Sequence, residues 1–220
     1  MKLLKPLLDI VYPQFCILCQ DYLLEKEKTI CLPCDQSINE ALGSIYWYEN
    51  KSLCFTNKYA LFPFNKGSIS QKLIHELKYS GNMDLGIYLG QKFGYFFREQ
   101  LKKVDLLVPV PLHRKKKRKR GFNQSEVIAR GISMIGNIPL STNNLLRKRN
   151  ATTQTKMSKE QRFQNMRNTF ELVNSKVFAK QNILLVDDIY TTGATSEACY
   201  REIFKGNPNS ISLAVIAKAQ

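Results

Sequence analysis

Apolar residues recur along the chain in two rhythms. Ile69, Leu73, Ile74 and Leu77 fall three or four apart, the spacing of one helix face, and Gly81 stands where that helix would be capped. Leu85, Tyr88, Leu89, Phe93, Phe96, Phe97 and Leu101 predict a second helix from about Asp84, and Val127, Ile128, Gly131, Ile132 and Ile135 a third. Between them lie short runs of consecutive apolar residues. Positions 104–110 (VDLLVPV) and 183–186 (ILLV) read as strands buried on both faces, and 211–218 as a closing strand. Positions 59–64 (YALFPF) predict a further strand, near a sheet edge because Pro63 cannot donate to a ladder. A loop and a helix through Phe204 follow Val186. Strands alternating with helices imply an α/β fold, a mostly parallel sheet flanked by helices.

The first 48 residues break this alternation. Cys16-x2-Cys19 and Cys31-x2-Cys34 are two knuckle spacings, each able to aim two thiolates at one tetrahedral Zn²⁺. The eleven residues between them suffice for a short hairpin but are too polar and too few for a core, so the metal would supply the folding energy. Two buried or redox-active pairs are the other reading, and they give no reason for the doubled spacing. Four cysteine ligands leave no open coordination position, which makes the zinc structural and not catalytic. The expected organisation is a small N-terminal zinc-ribbon module at 1–48 and the α/β domain at 49–220. Cys54 and Cys199 stand apart and read as ordinary buried thiols.

Charge changes the picture in one quarter of the chain. The 220 residues carry a net +15, and positions 113–167 hold fifteen Lys and Arg against two acids, Glu126 and Glu160. That local excess points to a polyanion: the phosphates of a small ligand, nucleic acid or an acidic membrane surface. The plainer reading is a solvated, mobile face. A hydrophobic share of 44% is ordinary for a folded protein, so disorder is not the default. No apolar run approaches the roughly 20 residues that span a bilayer, and no cleavable leader pattern is evident, so a cytoplasmic protein is expected, reaching the inner face of the membrane only through a partner.

The densest chemistry is ILLVDDIYTTGAT at 183–195. A buried strand delivers two adjacent carboxylates, Asp187 and Asp188, to its C-terminal end, where open α/β sheets bind ligands. Thr191, Thr192, Gly193, Ala194 and Thr195 then offer hydroxyls and free backbone N–H groups at a helix start, a cradle for phosphate. Carboxylates for sugar hydroxyls and a loop for phosphate together suit a ribose 5-phosphate. No Gly-Lys-Ser/Thr follows, so this is not a Walker loop. A structural turn with a capping threonine is the alternative.

This segment resembles the phosphoribosyl pyrophosphate (PRPP) motif of type I phosphoribosyltransferases. The resemblance implies that Asp187 and Asp188 hold the ribose 2′- and 3′-hydroxyls and position the substrate, while 191–195 hold the 5-phosphate. VPVPLHR at 108–114 resembles the place where that family holds pyrophosphate, which assigns Pro111, Arg114 and Arg120 to it. An arginine-rich loop at a strand end suits a multiply charged anion on physical grounds as well. Gly121 supplies a turn, Asn123 a helix cap, and Phe122 an aromatic that could stack on bases. Positions 147–168, with Arg147, Arg149, Gln154 and Arg162, are rich in donors and poor in apolar residues. They read as a mobile arm closing over the anion, or as a generic polar linker.

Taken in order, CxxC…CxxC, LKY-x-G at 77–81, PVP-LHR, RGFNQ, the Arg and Gln positions of the arm and VDDIYTTGAT resemble the ComF family over nearly the full chain. That family is associated with natural competence, in which single-stranded DNA enters the cytosol with the help of a DEAD-box-like helicase partner. The resemblance implies PRPP and single-stranded DNA as ligands, a competence helicase as partner, and Mg²⁺ with PRPP if ribosyl transfer occurs. Pyrophosphate needs two or three cations, whereas this stretch carries fifteen, so Lys115, Lys116, Lys117 and Lys119 are expected to meet DNA. The alternative is a metabolic phosphoribosyltransferase acting on a small acceptor. No base-selecting hood is evident, so the acceptor, the retention of transferase activity and the oligomeric state stay open.

Overall fold

The computed structural model describes residues 13–25, 27–42, 46–47, 54–148 and 169–219. Among them a five-stranded sheet forms the centre. Its strands are β1 (Tyr46–Trp47), β2 (Lys58–Phe64), β3 (Leu106–Pro109), β6 (Asn182–Tyr190) and β7 (Ser210–Ala219). They lie in the order β1-β2-β7-β6-β3, all parallel except the two-residue β1. The mostly parallel α/β sheet expected from the alternation is therefore present, and its apolar runs are buried. Leu107, Val108, Leu184, Leu185, Val186 and Ile216 are fully buried.

Two apolar layers sandwich the sheet. On one face lie α2 (Ile69–Tyr79), α3 (Met83–Phe96) and α6 (Gln124–Gly136); on the other lies α7 (Ala194–Phe204). The helices at 69–79 and 124–136 follow the predicted periodicity. The second one ends sooner than expected: Phe97 leaves helical geometry (φ −100°, ψ 28°), and a separate turn, α4 (Arg98–Leu101), carries Leu101 back to the core. The contact between α3 and α6 is unusually close. A Cβ on Gly90 would collide with the Ile128 carbonyl, and one on Gly131 with the Ile87 carbonyl, so the two backbones touch. The same α6 begins at the C-terminal end of β3, where the Asn123 amide donates to the Val110 carbonyl at 3.0 Å.

The basic run at 114–120, read from sequence as a loop, is a two-turn helix, α5 (Arg114–Arg120). Lys and Arg are good helix formers. His113 caps the helix, its Nδ1 accepting from the Lys115 N–H at 3.2 Å, and Gly121 ends it at φ +83°. The lysines and arginines in its last turn also suit the negative end of the helix dipole. Two short strands that the pattern did not predict, β4 (Leu145–Arg147) and β5 (Phe170–Leu172), pair antiparallel apart from the main sheet.

The cysteine segment packs on the same core layer as α2 and α3. Cys16, Ile30, Cys31 and Ile38 are buried together with Leu73, Leu77, Leu85 and Leu89. Cys34 stands in the first turn of α1 (Leu32–Leu42). That helix is pinned to α3 by an ion pair of Asp35 with Lys92 at 2.8 Å, by the Tyr88 hydroxyl donating to Asp35, and by Lys92 donating to Asn39 at 2.8 Å. Among the described residues no helix is long and apolar enough to cross a membrane.

Candidate functional site

A cleft of about 210 Å³ opens at the C-terminal ends of β3 and β6. Asp187, Asp188, Thr191 and Thr195 line it from the β6–α7 connection, Val110, Pro111 and Leu112 from the end of β3, and Lys116 and Arg120 from α5. Asn123, Gln124 and Ser125 enter from the start of α6, Lys78 from the end of α2, and Arg147 from β4. Residues scattered over more than a hundred positions of sequence thus share one wall, because parallel strands bring all their following connections to the same end.

The acidic pair sits in a divided environment. Asp188 lies 3.1 Å from the Lys78 ammonium, both side chains mostly covered. Asp187 accepts from the Ser125 hydroxyl at 2.9 Å and from the Asp188 N–H at 2.9 Å. Burial, and then the neighbouring Asp188 charge, push the Asp187 carboxyl up to about 7, against the pull of those donors and of Lys78. A site that holds one carboxylate reluctantly ionised is one that a cation or a hydroxyl-rich ligand would relieve.

Beyond the acids the chain turns sharply. Gly193 adopts φ +79°, and a Cβ there would strike the Tyr190 hydroxyl, so only glycine fits. Gly193 caps α7 by position, with no side chain bonded to the first-turn N–H groups. First-turn N–H groups of this kind are donors that an anion can meet. Thr191 and Thr192 are exposed, Ala194 and Thr195 half-buried. Tyr190 leans back over this turn, its hydroxyl accepting from Lys58 Nζ at 3.3 Å.

The RGFNQ segment has a different internal logic from the one read in sequence. Asn123 does not cap α6 with its side chain; its amide donates to the Val110 carbonyl at 3.0 Å, tying α6 to the end of β3. Phe122, a candidate for base stacking, is buried in the core and unavailable for it. Arg120 donates to Gln124 Oε1 at 2.9 Å, which leaves Gln124 Nε2 buried in the cleft wall without a partner. Arg147 Nε is also buried and unpartnered, its guanidinium 5.5 Å from the Phe170 ring. Two orphan donors in one wall are costly, on the order of 1–3 kcal/mol each, unless a ligand rich in acceptors meets them. Burial holds the Arg147 guanidinium below its usual value, and His113 is lowered by burial and then by the charges of Arg147, Lys115 and Lys116.

Of the expected pyrophosphate residues, Pro111 and Arg120 line the cleft, and Arg114 stands exposed at the start of α5 outside it. Of the four lysines read for DNA, Lys116 lines the cleft, Lys117 lies 3.8 Å from Glu126, and Lys115 and Lys119 are exposed. Arg147, read as part of a mobile arm, is anchored in β4 opposite Phe170. Arg149, Gln154 and Arg162 lie outside the described residues. Lys78 and Ser125 were missed as site residues, although Lys78 stands in the LKY-x-G motif and Ser125 directly follows RGFNQ.

The second candidate centre is the cysteine cluster. The four sulfurs of Cys16, Cys19, Cys31 and Cys34 lie within 4.8 Å of one another. Tetrahedral zinc with bonds of about 2.3 Å sets its sulfurs about 3.8 Å apart, so the donor set fits a closed four-thiolate site. Burial alone would raise the Cys16 thiol, but N–H groups of Cys19, Cys31 and Leu18 outweigh it and bring it down to about 7. Cys34 is pushed up by burial and by its three thiol neighbours. Of the two other cysteines, Cys199 is fully buried as expected and Cys54 only half-buried.

No family model matches the chain. It is 33% identical over 121 residues to competence protein F of Haemophilus influenzae, covering 54% of this chain and 53% of that protein. To competence protein ComFC of Bacillus subtilis it is 24% identical over 235 residues, covering 92% of this chain and 94% of that protein. The match thus spans about half the length of the first relative and nearly all of the second. Among solved structures, glutamine PRPP amidotransferase from B. subtilis aligns over 64% of this chain and 30% of its own, with 18% identity and a TM-score of 0.44.

Proposed function

We propose that this chain, a ComF-family protein, binds PRPP in the cleft at the ends of β3 and β6 and serves natural competence by handling incoming single-stranded DNA. One observation carries the PRPP reading: a single cleft gathers Asp187 and Asp188, the uncapped start of α7, the cations Lys78, Lys116, Arg120 and Arg147, and two buried donors without partners. A ligand that answers all of these carries hydroxyls at one end and several phosphates at the other. Asp187 and Asp188 would hold the ribose hydroxyls, the 191–195 turn the 5-phosphate, and Arg120, Lys116, Arg147 and Gln124 the pyrophosphate oxygens. Asp187 and Asp188 are also hard oxygen donors that fit Mg²⁺, which when bound would offset charge on the pyrophosphate. The cations of this wall would offset the negative charge that leaves with pyrophosphate if ribosyl transfer takes place.

The competence reading is supported by the names of the two relatives. It is also supported by α5, whose Lys115, Arg118 and Lys119 are exposed and line no part of the cleft, in excess of what a pyrophosphate needs. In this reading the cysteine segment is a zinc module that packs on the core of the α/β domain, while Tyr46–Trp47 belongs to the sheet.

Replacing Asp187 and Asp188 with Asn keeps their shape and removes both charges. Calorimetry with PRPP and Mg²⁺ should show affinity falling at least about tenfold, the scale of losing charge-assisted hydrogen bonds. Unchanged affinity would place the ligand elsewhere.

A further inference from the structure

The mouth of the cleft carries a feature that PRPP binding does not use. Lys78 turns inward to Asp188, while its neighbour Tyr79 turns outward and leaves 61% of its surface exposed. An apolar ring at that exposure is not a core residue. The Arg120 guanidinium lies 5.7 Å from its centroid, and the His75 ring, one helical turn earlier on α2, lies 4.8 Å away. His75 in turn lines a groove of about 420 Å³ between α2 and the first cysteine knuckle, with Ile17, Leu18 and Lys72. Arg120, which lines the cleft, thus also borders an exposed two-ring surface, and His75, with Glu76 3.6 Å away, leads from it to the groove beside the cysteine segment.

We propose that Tyr79, backed by His75 and edged by Arg120, is a stacking platform for a nucleobase at the mouth of the cleft. A base offers the flat π-face that an exposed ring with a cation at its edge accepts, and the neighbouring Lys72, Lys116 and Arg120 meet the phosphates that accompany it. Two sources share this chemistry: a base within single-stranded DNA, and a free base presented to PRPP. The platform rests on the PRPP and DNA reading of the cleft. It takes the place of the buried Phe122, and it gives the groove beside the cysteine knuckle a role as the continuation of the track.

The test uses the full chain with Tyr79→Trp, Tyr79→Phe and Tyr79→Ala, each checked for native circular dichroism and metal content. The tryptophan variant reports stacking directly, as emission quenched beyond that of the wild type with its single Trp47. A single-stranded oligothymidylate that quenches it, where an abasic strand of equal charge does not, assigns the platform to a DNA base. Quenching by adenine or uracil only in the presence of PRPP and Mg²⁺ assigns it to a free acceptor base. In either case Tyr79→Ala should bind that probe roughly tenfold more weakly, Tyr79→Phe should match the wild type, and PRPP affinity should not move. Emission indifferent to every probe, or wild-type binding by Tyr79→Ala, overturns the platform and leaves PRPP binding standing. Failure of the wild type itself to bind PRPP would instead remove the reading beneath it.

Discussion

Lys78 Nζ stands 3.1 Å from Asp188 Oδ2, joining the last turn of α2 to the end of β6 across the floor of the cleft. The two side chains are only 20% and 12% exposed, so each is the other's principal compensation for leaving water. Lys78→Met should therefore lower stability by about 1–3 kcal/mol in thermal or urea unfolding. It should also weaken PRPP by at least about tenfold in calorimetry, since the cleft would lose one of the cations that line it and Asp188 its partner.

Asp187 sets a pH dependence of known sign. Its carboxyl rises from an ordinary 3.8 to about 7 in the folded chain, so the folded state holds more protons than the unfolded one between those values. Stability contributed by the neutral acid falls as pH rises through that window. Asp187→Asn keeps an acceptor for the Ser125 hydroxyl and cannot ionise. Its melting temperature minus that of the wild type should increase from pH 5 to pH 8, and a difference independent of pH would refute the assignment.

The lysines of α5 divide between two positions. Lys116 lines the cleft and Lys115 and Lys119 do not. Lys116→Gln should weaken PRPP, whereas Lys115→Gln with Lys119→Gln should leave it intact and reduce single-stranded DNA affinity. The slope of log affinity against log salt should become shallower by roughly 0.7 for each DNA phosphate that the variant no longer neutralises. Fluorescence anisotropy at several salt concentrations reads this directly.

One zinc ion per chain is expected from elemental analysis of protein purified without added metal. Cys31→Ser should lower that stoichiometry and the melting temperature together, because Cys31 is part of the core that α2 and α3 also build.

Much of the fold is legible in the sequence, and what is not has identifiable causes. The strand at 183–186 can be read because four apolar residues with no polar alternation admit few other fates, but it runs on through Asp187 and Asp188 to Tyr190, where pairing with β7 and not local pattern extends it. Helix α5 cannot: seven consecutive cations have no apolar period, and although Gly121 is readable as a turn, the His113 side chain shows itself as a cap only in its bond to the Lys115 N–H. Strands β4 and β5 have three residues each, and a partner more than twenty positions away leaves no local trace. Asn123 is recognisable as polar at a helix start, but whether its amide caps that helix or bonds the Val110 carbonyl depends on where β3 ends. Lys78 is hidden for the opposite reason. On a helix its position is that of an ordinary solvated residue, and only the packing of α2 against the sheet turns it toward Asp188.

Gly90→Ala should destabilise the chain by about 2 kcal/mol in urea unfolding, because a methyl group there has to displace the Ile128 carbonyl. The reason reaches beyond stability. Most helix pairs are separated by side chains that can reorient and absorb a small shift, and α3 and α6 lack that cushion at Gly90 and Gly131. The same α3 bears Tyr88 and Lys92, which grip the cysteine segment, while α6 begins with Gln124 and Ser125 in the cleft. The pair therefore joins the helix that holds the cysteine segment to the helix that opens the ligand wall through touching backbones, with no side chain between them at Gly90 and Gly131.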